Sequence, residues 1–162
     1  TIKVNGEATR DRPFRPDDEP QAIDPYGRSK RDAEAGLRQL LPGQAVVIRP
    51  PLVHGPGARG NLARLCRLAQ LGAPVPFGSI HNRRDIVGVD NLAHLVERCL
   101  WHPAAAGSTF LVSDGEPLST SQLYRLIAEA MGRRALLVKV PVWALRMLAM
   151  PLGMVGEVDR LT

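Results

Sequence analysis

The chain has 162 residues, long enough for a domain with a real core, and its 44% apolar and 23% charged residues are those of an ordinary soluble globular protein. Its formal charge is +5, from 21 Lys and Arg against 16 Asp and Glu. The excess is arginine scattered over many segments, including Arg10, Arg12, Arg15, Arg83, Arg84, Arg133 and Arg134, and aromatic residues are only 4%. That pattern argues against a nucleic-acid-binding stripe and for an anionic small substrate such as a diphosphate.

In chain order, Thr1 to Val4 reads as the tail of a strand, followed by a polar, proline-rich loop from Asn5 to Asp24. Tyr26, Lys30, Ala33 and Leu37 recur on one helix face. Pro25 suits the first turn of that helix and Pro42-Gly43 ends it. Ala45 to Ile48 is a continuous apolar run, as in a strand covered on both faces, and it feeds the turn-rich segment Pro50 to Gly60. Leu62, Leu65, Cys66 and Ala69 predict a short amphipathic helix closed by Gly72. Asp85 to Val89 reads as a strand, and Asp90 as the N-cap of a helix with Leu92, Leu95, Val96 and Cys99 on one face.

Thr109 to Val112 is a further strand. Ser119 and Gln122 have capping-box spacing for a helix through Leu123, Leu126, Ile127 and Ala130 that stops at Gly132. Leu136 to Val140 is expected to be a last short strand before a final helix. Alternation at this rhythm predicts α/β architecture with parallel pairing. The apolar run Val140 to Gly156 is short for a membrane span, carries Arg146 and is interrupted by Pro141 and Pro151, so it reads as a core or interface helix. The opening residues do not read as a secretory leader. Cys66 and Cys99 lack metal or redox spacing and are expected to be buried free thiols in a reducing cytosol; no metal site is expected.

The sharpest chemical signal is Tyr26-Gly27-Arg28-Ser29-Lys30. A Tyr and a Lys four apart on a helix project to the same side. A phenol is a poor base at neutral pH, and a nearby ammonium favours its ionised form, which suits Tyr26 to general acid/base work. A surface tyrosine beside a solvated lysine fits the same spacing.

Context adds to it. The order of features resembles the extended short-chain dehydrogenase/reductases, specifically the NAD-dependent nucleotide-sugar epimerase/dehydratase family. Tyr26, Ser29 and Lys30 match that family's Y-x-x-S-K, and Thr1 to Gly6 is similar to its S/T-x-x-V-x-G, with Thr1 in the catalytic position. Arg49 to Gly57 resembles R-P-x-x-V-Y-G-P, with His54 in place of Tyr. Gly60-Asn61-Leu62 resembles the helix start whose Asn contacts the diphosphate, and Val75-Pro76-Phe77-Gly78 the segment against the nucleobase. Arg84 to Ala93 is similar to R-D-x-I-H-V-x-D-L-A, which makes Arg84 the candidate diphosphate clamp; Arg160 is a second, thinner match. The family's G-x-x-G-x-x-G cofactor turn has no counterpart here.

The resemblance therefore implies the C-terminal part of a Rossmann-type parallel sheet, residues 1–56, and a smaller α/β nucleotide-sugar-binding domain, residues 57–162, whose helix at 90–102 packs back on the first part. It implies NAD or NADP as cofactor, a nucleoside-diphosphate sugar as substrate, and a cytoplasmic homodimer that engages neither nucleic acid nor membrane. Tyr26 would move the hydroxyl proton with Thr1, Lys30 would also hold the nicotinamide ribose, and backbone groups around Pro50 and Pro51 would flank the nicotinamide. Epimerisation and 4-keto reduction both fit. A related dehydrogenase of a non-sugar alcohol or ketone would have no use for Asn61 and Arg84, and a non-catalytic scaffold none for Thr1, Tyr26 and Lys30. In this family the glycine turn lies N-terminal to the catalytic Thr, so the 162 residues alone are expected not to bind the dinucleotide tightly.

Overall fold

The computed structural model describes residues 1–9, 12–151, 156 and 158. The chain divides into two compact units, Thr1–Gly55 with Ile86–Gly115, and Pro56–Asp85 with Glu116–Thr162.

In the first unit, helix α1 spans Pro25–Leu40. Asp24 caps it by accepting from the Gly27 N–H, and Pro25 occupies the first turn, where its missing N–H costs nothing. Four short strands follow: β1, Val47–Arg49; β2, Leu52–His54; β3, Ile86–Gly88; and β4, Thr109–Leu111. β1 pairs with β4 in parallel, Ile48 opposite Phe110, and β2 pairs with β3 in parallel, Val53 opposite Val87. Helix α3, Val89–Trp101, leaves β3 without an intervening loop.

Several expectations are corrected here. Thr1 to Val4 is no strand: Ile2–Val4 form a 3-10 turn, because the Thr1 hydroxyl and carbonyl draw the following N–H groups inward, and local bonds of this kind compete with extended pairing. Gly88, not Asp90, is the N-cap of α3; β3 runs straight into the helix, so Asp90 falls in its first turn, where a carboxylate still complements the helix dipole. The α1 face bearing Tyr26, Lys30, Ala33 and Leu37, to which the periodicity alone assigned no burial, is exposed. What α1 turns inward is Gly27, with Glu34 half-buried, because its deepest contact is an ion pair and not an apolar stripe. Neither cysteine is fully buried; both are free and half-buried.

In the second unit, helices α2 (Asn61–Leu71) and α4 (Thr120–Ala130) pack together. Leu65, Ala69, Tyr124 and Ala128 from these helices enclose Val75, Phe77 and Ile80. Burial of each large side chain stabilises the unit by about 1.5–3 kcal/mol. Gly72 ends α2 in the left-handed conformation at φ 65°, and Ser119 and Gln122 form both bonds of the capping box on α4. The Ser121 hydroxyl reaches the carbonyls of Phe77 and Ile80, which fastens the intervening loop to α4. Leu136 to Val140 makes only a single bridge, Val75 with Leu137, and forms no full strand: the next bond to the Val138 carbonyl comes from the Gly78 N–H, where a regular parallel ladder would use Phe77, so an extra residue breaks the register. Helix α5, Val142–Ala149, closes the described segment. No helix among the described residues is long and apolar enough to cross a membrane.

Candidate functional site

The start of α1 is tied down by charge. The Lys3 ammonium bridges the Asp24 cap and Glu7, and these partners raise its pKa, the Asp24 hydrogen bond most of all. Gly27 sits where the helix crosses this turn. A Cβ there would stand 2.9 Å from the Lys3 carbonyl oxygen and 3.0 Å from the Asp24 carboxylate, so no side chain fits without moving backbone. This contact sets the height of α1 over the Thr1 turn, and with it the position of Tyr26. Lys30 places its Nζ 5.7 Å from the Tyr26 ring centroid, within cation–π range, with both residues open to solvent.

Thr1 lies nearby on the same unit. The Ile2 N–H donates to the Pro50 carbonyl at 2.9 Å, which fastens the Thr1 turn to the end of β1. Pro50 and Pro51 are half-buried there. The Thr1 hydroxyl caps its own turn and makes no hydrogen bond to Tyr26 among the described residues. Thr1, Tyr26, Lys30, Pro50 and Pro51 thus share one unit, and among the described residues no direct hydrogen bond links the Thr1, Tyr26 and Lys30 side chains.

Beneath them is a network that the sequence reading missed. Arg49, 1% exposed, donates through Nε and Nη2 to Glu34 of α1, at 2.7 Å for the shortest contact, and through Nη1 to Asn5 Oδ1 at 2.9 Å. Asn5, also 1% exposed, donates onward to the Arg15 carbonyl. One guanidinium therefore joins β1, α1 and the loop after Thr1. The available signal was an arginine ending an apolar strand, since a charge buried there demands a partner.

Asn61, Phe77 and Arg84 fall in the second unit. Asn61 is the exposed first residue of α2, after Gly60, which holds φ 67° and contributes no side-chain cap. Arg84 is exposed, and its backbone is locked by an antiparallel bridge to Leu118 with bonds of 3.0 and 2.9 Å. Phe77 departs from expectation: its ring is 7% exposed and packs edge-on to Tyr124, centroids 5.9 Å apart. Any base contact from this segment falls to its backbone. Arg160 lies outside the described residues. Two polar cavities, of about 330 Å³ beside Phe14 and Gln21 and about 430 Å³ beside His81 and Arg125, include none of these residues.

A second polar cluster joins the carboxyl ends of the strands. Asp114, just after β4, accepts from the Gly88 N–H at 3.0 Å, from Asn91 Nδ2 at 2.8 Å and from His54 Nε2 at 3.0 Å. Asn91 first, then His54 and the Gly88 N–H, hold its carboxyl below the usual carboxylate range. A lowered folded-state pKa contributes stability that is present above the unfolded value of about 4 and lost as pH falls through the folded one. Asp114→Asn should therefore destabilise the protein at neutral pH. The gap to wild type should close in denaturation curves taken below about pH 4.

Comparisons with known proteins bear on the family and the fold. No family model matches the chain. It is 42% identical to UDP-glucose 4-epimerase of Vibrio cholerae over its whole length, which is 51% of that protein. It is 34% identical to 2-alkyl-3-oxoalkanoate reductase of Stenotrophomonas maltophilia over 67% of the chain and 34% of that protein. The chain thus spans about half the length, or less, of these curated relatives. Among solved structures it overlays on dTDP-glucose 4,6-dehydratase of Bacillus anthracis in complex with NAD, with TM-score 0.70 and 18% identity over 86% of the chain and 47% of that structure. UDP-glucose 4-epimerase of Thermotoga maritima with UDP-glucose gives TM-score 0.69 and 23% identity over the same shares. The fold is the α/β, parallel-stranded fold of these Rossmann-type enzymes, and the chain matches its C-terminal part.

Proposed function

The chain is a homologue of UDP-glucose 4-epimerase over its whole length, and on that premise we propose that the protein containing it is an NAD-dependent enzyme that epimerises, or reduces at a 4-keto group, a nucleoside-diphosphate sugar. The observation that carries this reading is Tyr26 and Lys30 on the open face of α1, held over the Thr1 turn by Gly27. The 2-alkyl-3-oxoalkanoate reductase likeness, the basis for a non-sugar ketone substrate, covers less of the chain at lower identity.

These residues suit the nicotinamide end of a dinucleotide. Lys30 offers a cation beside the phenol for the ribose hydroxyls, and the half-buried Pro50 and Pro51, which have no N–H, offer an apolar edge with carbonyls for the amide. The cofactor, when bound, supplies the hydride chemistry. Tyr26 in its ionised form takes the proton of the reacting sugar hydroxyl and becomes a neutral phenol, the Lys30 cation favours that ionised starting form, and the Thr1 hydroxyl hydrogen-bonds the same sugar oxygen. In the second unit Arg84 clamps the diphosphate, with Asn61 at the open N-terminus of α2 as a further contact and Arg160 in the same role. The unit containing Thr1–Gly55 then completes the cofactor domain, and the other holds the nucleotide sugar. We take the enzyme to be a cytoplasmic homodimer.

Incubating the full-length protein with NAD and UDP-galactose, and following UDP-glucose by a coupled assay, tests the reading. Formation of UDP-glucose supports it; no conversion of any UDP- or dTDP-sugar overturns it. Arg84→Ala should weaken UDP binding by about 1.5–3 kcal/mol in calorimetry, as expected for hydrogen bonds to a charged group. Gly27→Ala should lower turnover on the order of 10-fold, since small misplacements are costly in catalysis, while far-UV circular dichroism stays unchanged.

A further inference from the structure

We propose that His54, held by Asp114, contacts the sugar: its Nδ1 accepts a hydrogen bond from a hydroxyl of the bound nucleotide sugar. The inference rests on the nucleotide-sugar reading above and adds a residue to it.

The tautomer follows from the partners. Asp114 meets three nitrogen donors, the Gly88 N–H, Asn91 Nδ2 and His54 Nε2, and an ionised carboxylate can only accept. Nε2 must then carry the proton, which in the neutral ring leaves Nδ1 as a bare lone pair. No hydrogen bond to Nδ1 occurs among the described residues, and the side chain is 41% exposed. The ring is fixed on one edge and open on the other.

Its placement suits a ligand. His54 ends β2 and stands opposite Gly88 at the end of parallel β3, and open α/β sheets bind ligands outside the carboxyl ends of their strands. The ring lies against Gly88, where a Cβ would be in ordinary van der Waals contact with Cε1 and Nε2 at 3.6 Å. Leu52 and His54 alternate onto one face of β2, and the leucine offers no hydrogen bond, so the polar atom on that face is the histidine's. Three residues of strand carry His54 roughly 10 Å beyond Pro51 along β2.

The test uses the full-length protein loaded with NAD and calorimetry with two probes, UDP and UDP-glucose. His54→Phe should weaken UDP-glucose about 3- to 10-fold, the range for one hydrogen bond, and leave UDP within about 2-fold. His54→Asn, which puts an amide oxygen near the position of Nδ1, should recover most of the loss. Asp114→Asn, which can donate to Nε2 and so reverse the tautomer, should weaken UDP-glucose while sparing UDP. Equal shifts for both probes, or none, would overturn the assignment of His54 while leaving the nucleotide-sugar reading intact. Wild-type protein that binds neither probe would overturn both.

Discussion

Replacing Tyr26 by phenylalanine in the full-length protein is expected to lower turnover by about 10² or more, with little change in the affinity for UDP-sugar. The substitution removes one oxygen from an exposed ring and disturbs no packing, because Tyr26 is 55% exposed. Its backbone is held independently by the Asp24 cap and by the close passage of Gly27 over the Lys3 carbonyl. Folding and substrate binding are therefore insulated from the change, and a loss of turnover reports on the phenol alone. A 10² loss corresponds to about 2.7 kcal/mol of transition-state stabilisation, more than a surface hydrogen bond supplies and typical of a group that moves a proton. Lys30→Met should produce a smaller loss that shrinks as pH rises, since hydroxide makes up for the missing cation. Retained turnover in the Tyr26 variant, with NAD and UDP-sugar both bound, would remove the phenol from the reaction.

Local rules read this chain well wherever a few neighbouring residues decide the outcome. The Ser119/Gln122 box, the left-handed Gly72 and the Pro25 start of α1 are properties of four or five residues, and all three are realised. Parallel pairing followed from the alternation of strands and helices. The misses share a different cause. Which face of α1 turns inward is decided by Glu34 meeting Arg49, 15 residues on, and periodicity cannot report such a meeting. The Thr1 turn depends on Pro50, and the His54 pair on Asp114, 60 residues away. Phe77 is a case of competing claims on one side chain: the motif pointed to a base contact, while burial assigned the ring to Tyr124 and the core. The candidate residues themselves were legible because a motif names residue types; the struts that hold them were not.

Arg49→Ala should be the most damaging substitution for stability, costing about 3–5 kcal/mol, the range found when one partner of a buried ion pair is removed. The residue is 1% exposed and satisfies three contacts on Glu34 and one on Asn5. Alanine leaves the Glu34 carboxylate, its side chain 12% exposed, facing a cavity, and takes the partner from the Asn5 carbonyl oxygen. Two desolvated polar groups and an empty volume add in the same direction. In a urea titration with a slope of about 1–3 kcal/mol per molar, the midpoint should fall by more than 1 M. The double variant Arg49→Met, Glu34→Leu separates two meanings of that loss. Replacing a buried pair by apolar residues of similar volume is often neutral, so the double variant should recover most of the stability. Its activity should not recover, because the guanidinium also holds Asn5 and, through that loop, the Thr1 turn beside α1. A double variant that regains both stability and turnover would show that Arg49 merely fills space, and that the Thr1 turn is placed by the Pro50 hydrogen bond alone.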